Sequence, residues 1–269
     1  MLSSVNKSKI ANLIAKNLPR LWMERELHFR PNHFEREFWL IPFLCDKTKT
    51  SLDIGANMGH YSYFMQKFSM DVIAFEPNTQ LWPDLRRLLG KDFQLEAVAL
   101  SDKLGTATLR VDPTNTGVST IEEKNRLVCV KDKSLIVNKV VPMRTLDSFG
   151  FPNIGMIKID VEGHEEALIS GALETIKKNR PSLLIEAEDR HNPGASKRLP
   201  ETISRLGYEV RFLRDDKLVE FSELRDEDLD AANLVHGRRA YINNFIFIPA
   251  EHQEKIEYIR DFLQRRRRA

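Results

Sequence analysis

The chain has 269 residues, enough to bury a sizeable core in one or two domains, and its 42% hydrophobic and 30% charged residues exclude a mainly disordered protein. Forty-one basic residues against 39 acidic ones leave a net charge of +2, so no global field points to nucleic acid. Two cysteines, Cys45 and Cys129, are too few for a disulfide framework, lack zinc-site spacing, and read as small buried thiols in a reducing compartment.

Residues 1–45 form a leading segment. Ile10, Leu13, Ile14, Leu18, Leu21 and Trp22 recur at three- and four-residue steps, which gives one apolar face of a helix. Lys7, Lys9, Lys16 and Arg20, with no acid before Glu24, faintly resemble a mitochondrial presequence; no secretory signal is visible, and cytoplasmic placement is the expectation. His28, Phe29, His33, Phe34, Phe38, Trp39 and Phe43 follow, interleaved with Arg25, Arg30 and Arg36. They read as a helical cap packed on the next domain, or as a lid bordering a substrate. No run approaches the roughly 20 apolar residues of a membrane span.

From residue 50 strands alternate with helices, which predicts a parallel sheet with right-handed crossovers. The expected elements are a strand Ser51–Ile54, a helix His60–Phe68, a strand Val72–Phe75, a helix carrying Leu81, Leu85, Leu88 and Leu89, and a strand Gln94–Leu100. Residues 103–142 break the rhythm as a small β insertion, with short antiparallel strands at Thr106–Val111, Arg126–Lys131 and Leu135–Val141. The buried pattern resumes at Met156–Ile159, followed by one helix Glu165–Asn179 and a strand Leu183–Ile185. Tyr208–Leu213 and Tyr241–Ile248 are expected to pair antiparallel at the sheet edge, around a solvated loop bearing Asp226, Glu227, Asp228 and Asp230. Residues 251–269 predict a helix with Ile256, Ile259, Phe262 and Leu263 on one face, ending in a solvated run Arg265–Arg268.

The sharpest segment is Leu52-Asp53-Ile54-Gly55-Ala56-Asn57-Met58-Gly59. Its glycines let a backbone approach a ligand where a strand ends and a helix begins. The spacing is not that of the Gly-x-Gly-x-x-Gly dinucleotide fingerprint. A carboxylate at Asp53 would repel a pyrophosphate but attract a ligand carrying an ammonium and a sulfonium, a description that S-adenosylmethionine fits. Glu76, in Phe75-Glu76-Pro77, ends the second strand, where a ribose diol is held in this architecture.

These residues resemble the FkbM family of S-adenosylmethionine-dependent methyltransferases. The likeness runs through Leu52–Ser62, Phe75-Glu76-Pro77, Ala99-Leu100-Ser101-Asp102 with Gly105, and Thr145-Leu146-Asp147. It continues through Ile157–Glu165, Arg180-Pro181, Glu186 and Asn244–Pro249, in the family's order over residues 46–250. The resemblance implies an α/β fold of class I methyltransferase type: a Rossmann-like, mixed seven-stranded sheet with helices on both faces, a small β insertion and an N-terminal helical cap. It implies methyl transfer to a hydroxyl of a sugar, glycan or other small metabolite, with S-adenosylmethionine as cofactor. Asp53, Gly55, Asn57 and Gly59 would hold the methionine end, and Glu76 the ribose. Ser101 and Asp102 would lie beside the adenine, or act as an ordinary turn cap.

In a doubly wound sheet the crevice lies at the carboxyl ends of the strands, so Asp160 and Glu186 should face it. Asp160 is the expected base or acceptor-orienting group, with His164 the next candidate and Glu186 the third. Glu162 reads as a capping acid at a helix start, and Glu165 and Glu166 as solvated helix face. Asp160, Glu186 and Glu188 also suggest magnesium, although paired strand-end acids without a metal are commoner. His191, Asp189 and Arg190 would contact substrate or lie on a solvated loop. A nicotinamide-dependent Rossmann oxidoreductase and a non-catalytic methyltransferase-fold module are the alternatives; Asp53 and the glycine spacing argue against the first.

Overall fold

The computed structural model describes residues 17–30, 33–128, 130–230, 233 and 241–268. Ile10, Leu13, Ile14 and Cys129, named above, lie outside them. Strand propensity and burial build eleven strands among these residues. They are β1 Thr50–Ile54, β2 Asp71–Phe75, β3 Gln94–Glu96, β4 Ala99–Leu100, β5 Gly105–Val111, β6 Val137–Arg144, β7 Ile154–Ile159, β8 Ser182–Glu186, β9 Tyr208–Arg214, β10 Lys217–Glu220 and β11 Asn244–Pro249. The helices are α1 Pro19–Phe29, α2 Ile41–Leu44, α3 His60–Met65, α4 Trp82–Leu89, α5 Glu165–Ser170, α6 Leu173–Asn179, α7 Ala195–Ser204 and α8 Glu254–Arg268.

The main sheet runs in the order β10-β9-β11-β8-β7-β1-β2-β3. Strands β3, β2, β1, β7 and β8 are parallel, and β11 runs antiparallel between β8 and β9. The sheet is mixed and α/β, as expected, but has eight strands rather than seven. The extra edge strand β10 returns from β9 through Asp215-Asp216, both at positive φ, so that Lys217 pairs with Arg214. Its four half-exposed residues carry too little apolar pattern to stand out from a loop.

Helices cover both faces. On one, Met23, Phe38, Leu40, Ile41 and Leu44 from the leading segment pack with Leu85, Leu88, Ile256, Ile259 and Leu263. On the other, Leu168, Ile169, Ile176, Leu199 and Ile203 close over Ile157, Ile159, Ile185 and Phe247. The described part of the leading segment is therefore a packed cap. Arg266 lies 5.0 Å over the Trp39 ring, so the terminal arginine run is partly docked rather than wholly solvated.

Three further expectations are corrected. The stretch 94–100 is two strands: β3 belongs to the main sheet, and β4 joins a second sheet ordered β4-β6-β5. Residues 126–128, 130 and 131 belong to no strand, and the second partner of β5 is a single bridge between Arg110 and Thr120. The run 165–179 divides into α5 and α6 at Gly171, where a Cβ would come within 2.0 Å of the Ser101 carbonyl oxygen.

Candidate functional site

At the carboxyl ends of β1, β2 and β7 the chain opens a crevice, the place where ligands bind in sheets of this kind. Its floor begins where β1 turns. Gly55 has a φ of +81°, and a Cβ there would fall 1.8 Å from the carbonyl oxygen of Asp160, so only glycine lets the first turn pass the end of β7. Glu76, at the end of β2, is buried and accepts from the backbone N–H groups of Asn57 at 2.8 Å and Asn78 at 2.7 Å. Burial outweighs these bonds and pushes its carboxyl up to about 7.

The crevice wall brings Gly55, Asn57, Glu76 and Asp160 together, beside the apolar surfaces of Val98, Leu100, Leu109 and Ile121. The other expected site residues stand elsewhere. Asp53 is buried away from the crevice lining and accepts from the Ser62 hydroxyl at 2.5 Å, and burial raises its pKa. Gly59 sits at the start of α3 with a φ of +77° and packs against Leu85.

His164, just before α5, is held on both ring nitrogens. Nε2 lies 2.9 Å from the Ser101 hydroxyl and Nδ1 lies 3.0 Å from Glu122 Oε2. Ser101 is buried and donates in turn to Asp102 at 3.1 Å. This chain fastens the loop between β5 and β6 over the crevice. Thr116 donates to the Asn57 side chain at 2.9 Å, while Thr120 and Asn125 both donate to the Glu162 carbonyl, at 2.9 and 2.8 Å. Thr116, Gly117, Ser119 and Thr120 complete the crevice wall, so this loop is a lid.

The acid that ties the turn before α5 is Glu165, not Glu162. Glu165 is buried, accepts from Gly163 N at 3.0 Å and Val161 N at 3.3 Å, and is pushed up to about 7 by burial. It is not solvated; Glu166 is the surface acid, paired with Arg198. Glu162 adopts a left-handed φ of 55°, and its carboxylate lies 3.1 Å from His191 Nδ1.

Acids crowd the strand ends beside Asp160. Asp160 is about a third exposed, with Oδ2 3.4 Å from the ammonium of fully buried Lys158, which also lies 4.9 Å from the Tyr61 ring centroid. Asn243 donates to Glu186 at 2.8 Å and to Glu188 at 2.9 Å, and Arg190 pairs with Glu188. Tyr61 donates to Glu35 at 2.9 Å. Burial, reinforced by Asp160, Glu35 and Glu162, raises the Glu186 carboxyl well above its ordinary range. Among the described residues no group of three His, Cys, Asp or Glu side chains is arranged to hold a metal ion.

Sequence reasoning missed Lys158, Glu35, Tyr61, Asn243 and the lid residues Thr116, Thr120 and Glu122. Lys158 carried a signal: a lysine inside a strand otherwise fully apolar needs a buried charge partner. The others come from loops or unmarked positions with no spacing to betray them.

No helix among the described residues is long and apolar enough to cross a membrane. The chain resembles the methyltransferase FkbM from Methylobacillus flagellatus KT at 14% identity and a TM-score of 0.48, covering 82% of this chain and 47% of that one. It thus spans just under half the length of that protein. An rRNA methylase from Streptococcus thermophilus is similar at 13% identity and a TM-score of 0.40, covering 81% of this chain and 94% of that one. A precorrin-6y C5,15-methyltransferase from Geobacter metallireducens GS-15 is similar at 12% identity and a TM-score of 0.39, covering 78% and 83%. Among curated proteins none matches the sequence. The model of the methyltransferase FkbM domain matches residues 53–213, more than half of the chain and the stretch that carries Gly55, Glu76, Asp160 and the lid, and the chain belongs to that family.

Proposed function

We propose that the protein uses S-adenosylmethionine to methylate a hydroxyl of a sugar, glycan or other small metabolite, in the cytoplasm. The observation that carries this reading is one crevice with Glu76 at one strand end and Asp160 at another. The residues present fit the cofactor. Each Glu76 oxygen accepts one backbone N–H and keeps a lone pair for a ribose hydroxyl. The Val98, Leu100 and Ile121 surfaces suit a purine, and Gly55 lines the same crevice. Bound there, the cofactor would supply an electrophilic methyl group on a sulfonium.

The chain's own work is alignment and proton management. Asp160 accepts the proton of the acceptor hydroxyl as its oxygen takes the methyl, and the Lys158 ammonium steadies the carboxylate. The lid excludes water. The net charge of +2 and the acid-rich strand ends beside Asp160 favour a small acceptor over RNA.

Calorimetry with S-adenosylhomocysteine and transfer of a labelled methyl group to a glycan and metabolite panel test the reading. Asp160→Asn is expected to lower kcat by roughly 10²–10⁴ with little change in cofactor affinity. Glu76→Ala is expected to weaken cofactor binding by about 1.5–3 kcal/mol. A wild-type protein that binds neither the cofactor nor its product, or a folded Asp160→Asn variant with near-normal kcat, overturns it.

A further inference from the structure

We infer that the acceptor carries a protonated amine near the hydroxyl that is methylated, and that Asp160, Glu186 and Asn244 receive it; this rests on the methyl-transfer reading above. Three adjacent strands bring these residues side by side at the sheet end where Asp160 meets the crevice. Ile159 pairs with Ile185 across β7 and β8, and Glu186 pairs with Asn244 across β8 and β11. With neighbouring strands about 4.8 Å apart, the three side chains start within about two strand spacings.

Carboxyl groups outnumber cations at this place. Glu35, Asp160, Glu162, Glu186 and Glu188 face Lys158 and Arg190, two cations for five carboxyl groups. Both cations are engaged: Lys158 lies beneath Asp160, and Arg190 pairs with Glu188. His191 adds little charge, because burial lowers its pKa. Three donors here are already engaged. Tyr61 donates to Glu35, Asn243 to Glu186 and Glu188, and the Asn244 amide to Glu35 at 3.5 Å.

What is left over is an acceptor. Asn244 is only 3% exposed, and its Oδ1 has no hydrogen-bond partner among the described residues. A buried amide oxygen held among carboxylates calls for a donor that also brings positive charge. A primary ammonium offers three N–H donors and one charge, which matches a carboxylate on each of two strands and the amide oxygen on the third. A neutral sugar would satisfy the oxygen without answering the surplus of carboxyl groups, and a phosphate or carboxylate would be set against that surplus. The raised Glu186 and Glu162 carboxyls add a consequence: an arriving ammonium favours their ionised forms, so binding should release protons.

The test titrates protein saturated with S-adenosylhomocysteine with paired probes, the methyl glycoside of glucosamine and its N-acetylated counterpart, and likewise aminocyclitols against their acetylated forms. The amine member is expected to bind at least tenfold more tightly, with proton release seen by comparing buffers of different ionisation enthalpy. Glu186→Gln is expected to lower amine affinity about tenfold while leaving S-adenosylhomocysteine affinity unchanged. Equal binding of the two members, or no binding by any amine, overturns the inference and leaves the methyltransferase reading standing. A loss of S-adenosylhomocysteine affinity in Glu186→Gln also overturns it, because the cluster then serves the cofactor's own amino group. If the wild-type protein fails to bind S-adenosylhomocysteine, both readings fall.

Discussion

Glu37 lies in the short turn Arg36–Leu40, only 7% exposed, and burial pushes its carboxyl from an ordinary 4.5 up to about 7 despite Arg36 beside it. The folded state therefore holds this proton more tightly than the unfolded chain. The stability it contributes is full below about 4.5 and is lost as pH rises through about 7. Replacing it by Gln removes that loss. Glu37→Gln is expected to gain up to about 3 kcal/mol on wild type between pH 5 and pH 8, read by denaturant titration at both. An unchanged difference at the two pH values contradicts this. The same scale shows what a sequence can reveal about a site. Glu76 and Asp160 were legible because they end strands, and strand polarity alone puts such ends at one crevice. Asp53 was placed by its charge, yet its strand position turns it under α3 to Ser62. His164 looked like a free base, but its two nitrogens are occupied by residues 63 and 42 positions away. No local pattern encodes such partners.

The lid is held by polar contacts rather than by a large apolar core, which makes it the element most easily loosened. Glu122 is its link to His164, and Arg110 anchors the same turn by donating to the Glu122 and Asn125 carbonyls. Glu122→Ala is expected to speed S-adenosylhomocysteine release about tenfold, measured by stopped-flow, with a melting temperature close to wild type; a hydrogen bond to a charged group is worth about 1.5–3 kcal/mol. Unchanged release would show that Thr116, Thr120 and Asn125 hold the lid by themselves. Elements with strong periodicity, such as β1, β2, β7 and α4, were readable along the chain. Those that follow tertiary approach were not: α5 and α6 part because Gly171 meets the Ser101 carbonyl, a contact between segments 70 residues apart.

At the scale of the molecule, the alternation of strands and helices sufficed for the α/β architecture, while the strand count depended on one short hairpin. The C-terminal helix shows how the ends of the chain are joined. Ile259 is fully buried in the cluster that also holds Met23 and Leu44, and Lys255 donates to the Leu44 carbonyl at 3.1 Å and to Ser182 Oγ at 2.9 Å. Ile259→Ala is expected to cost about 2–5 kcal/mol, seen as a lower denaturation midpoint with an unaltered slope. A change below about 1 kcal/mol would mean that α8 is only loosely attached.

The hairpin of β5 and β6 leaves and re-enters the molecule at one point, with Gly105 opposite Met143. Such a clasped base separates the length of the lid from the geometry beneath it. By loop-closure entropy, doubling the span between its strands would cost only about 0.6 kcal/mol. The frame beneath can thus stay fixed while the lid changes length, provided that Thr116, Thr120, Glu122 and Asn125 keep their contacts to Asn57, Glu162 and His164. A chain built this way can acquire a new acceptor by editing a cassette, and lid transplantation is the natural route to redesigning it.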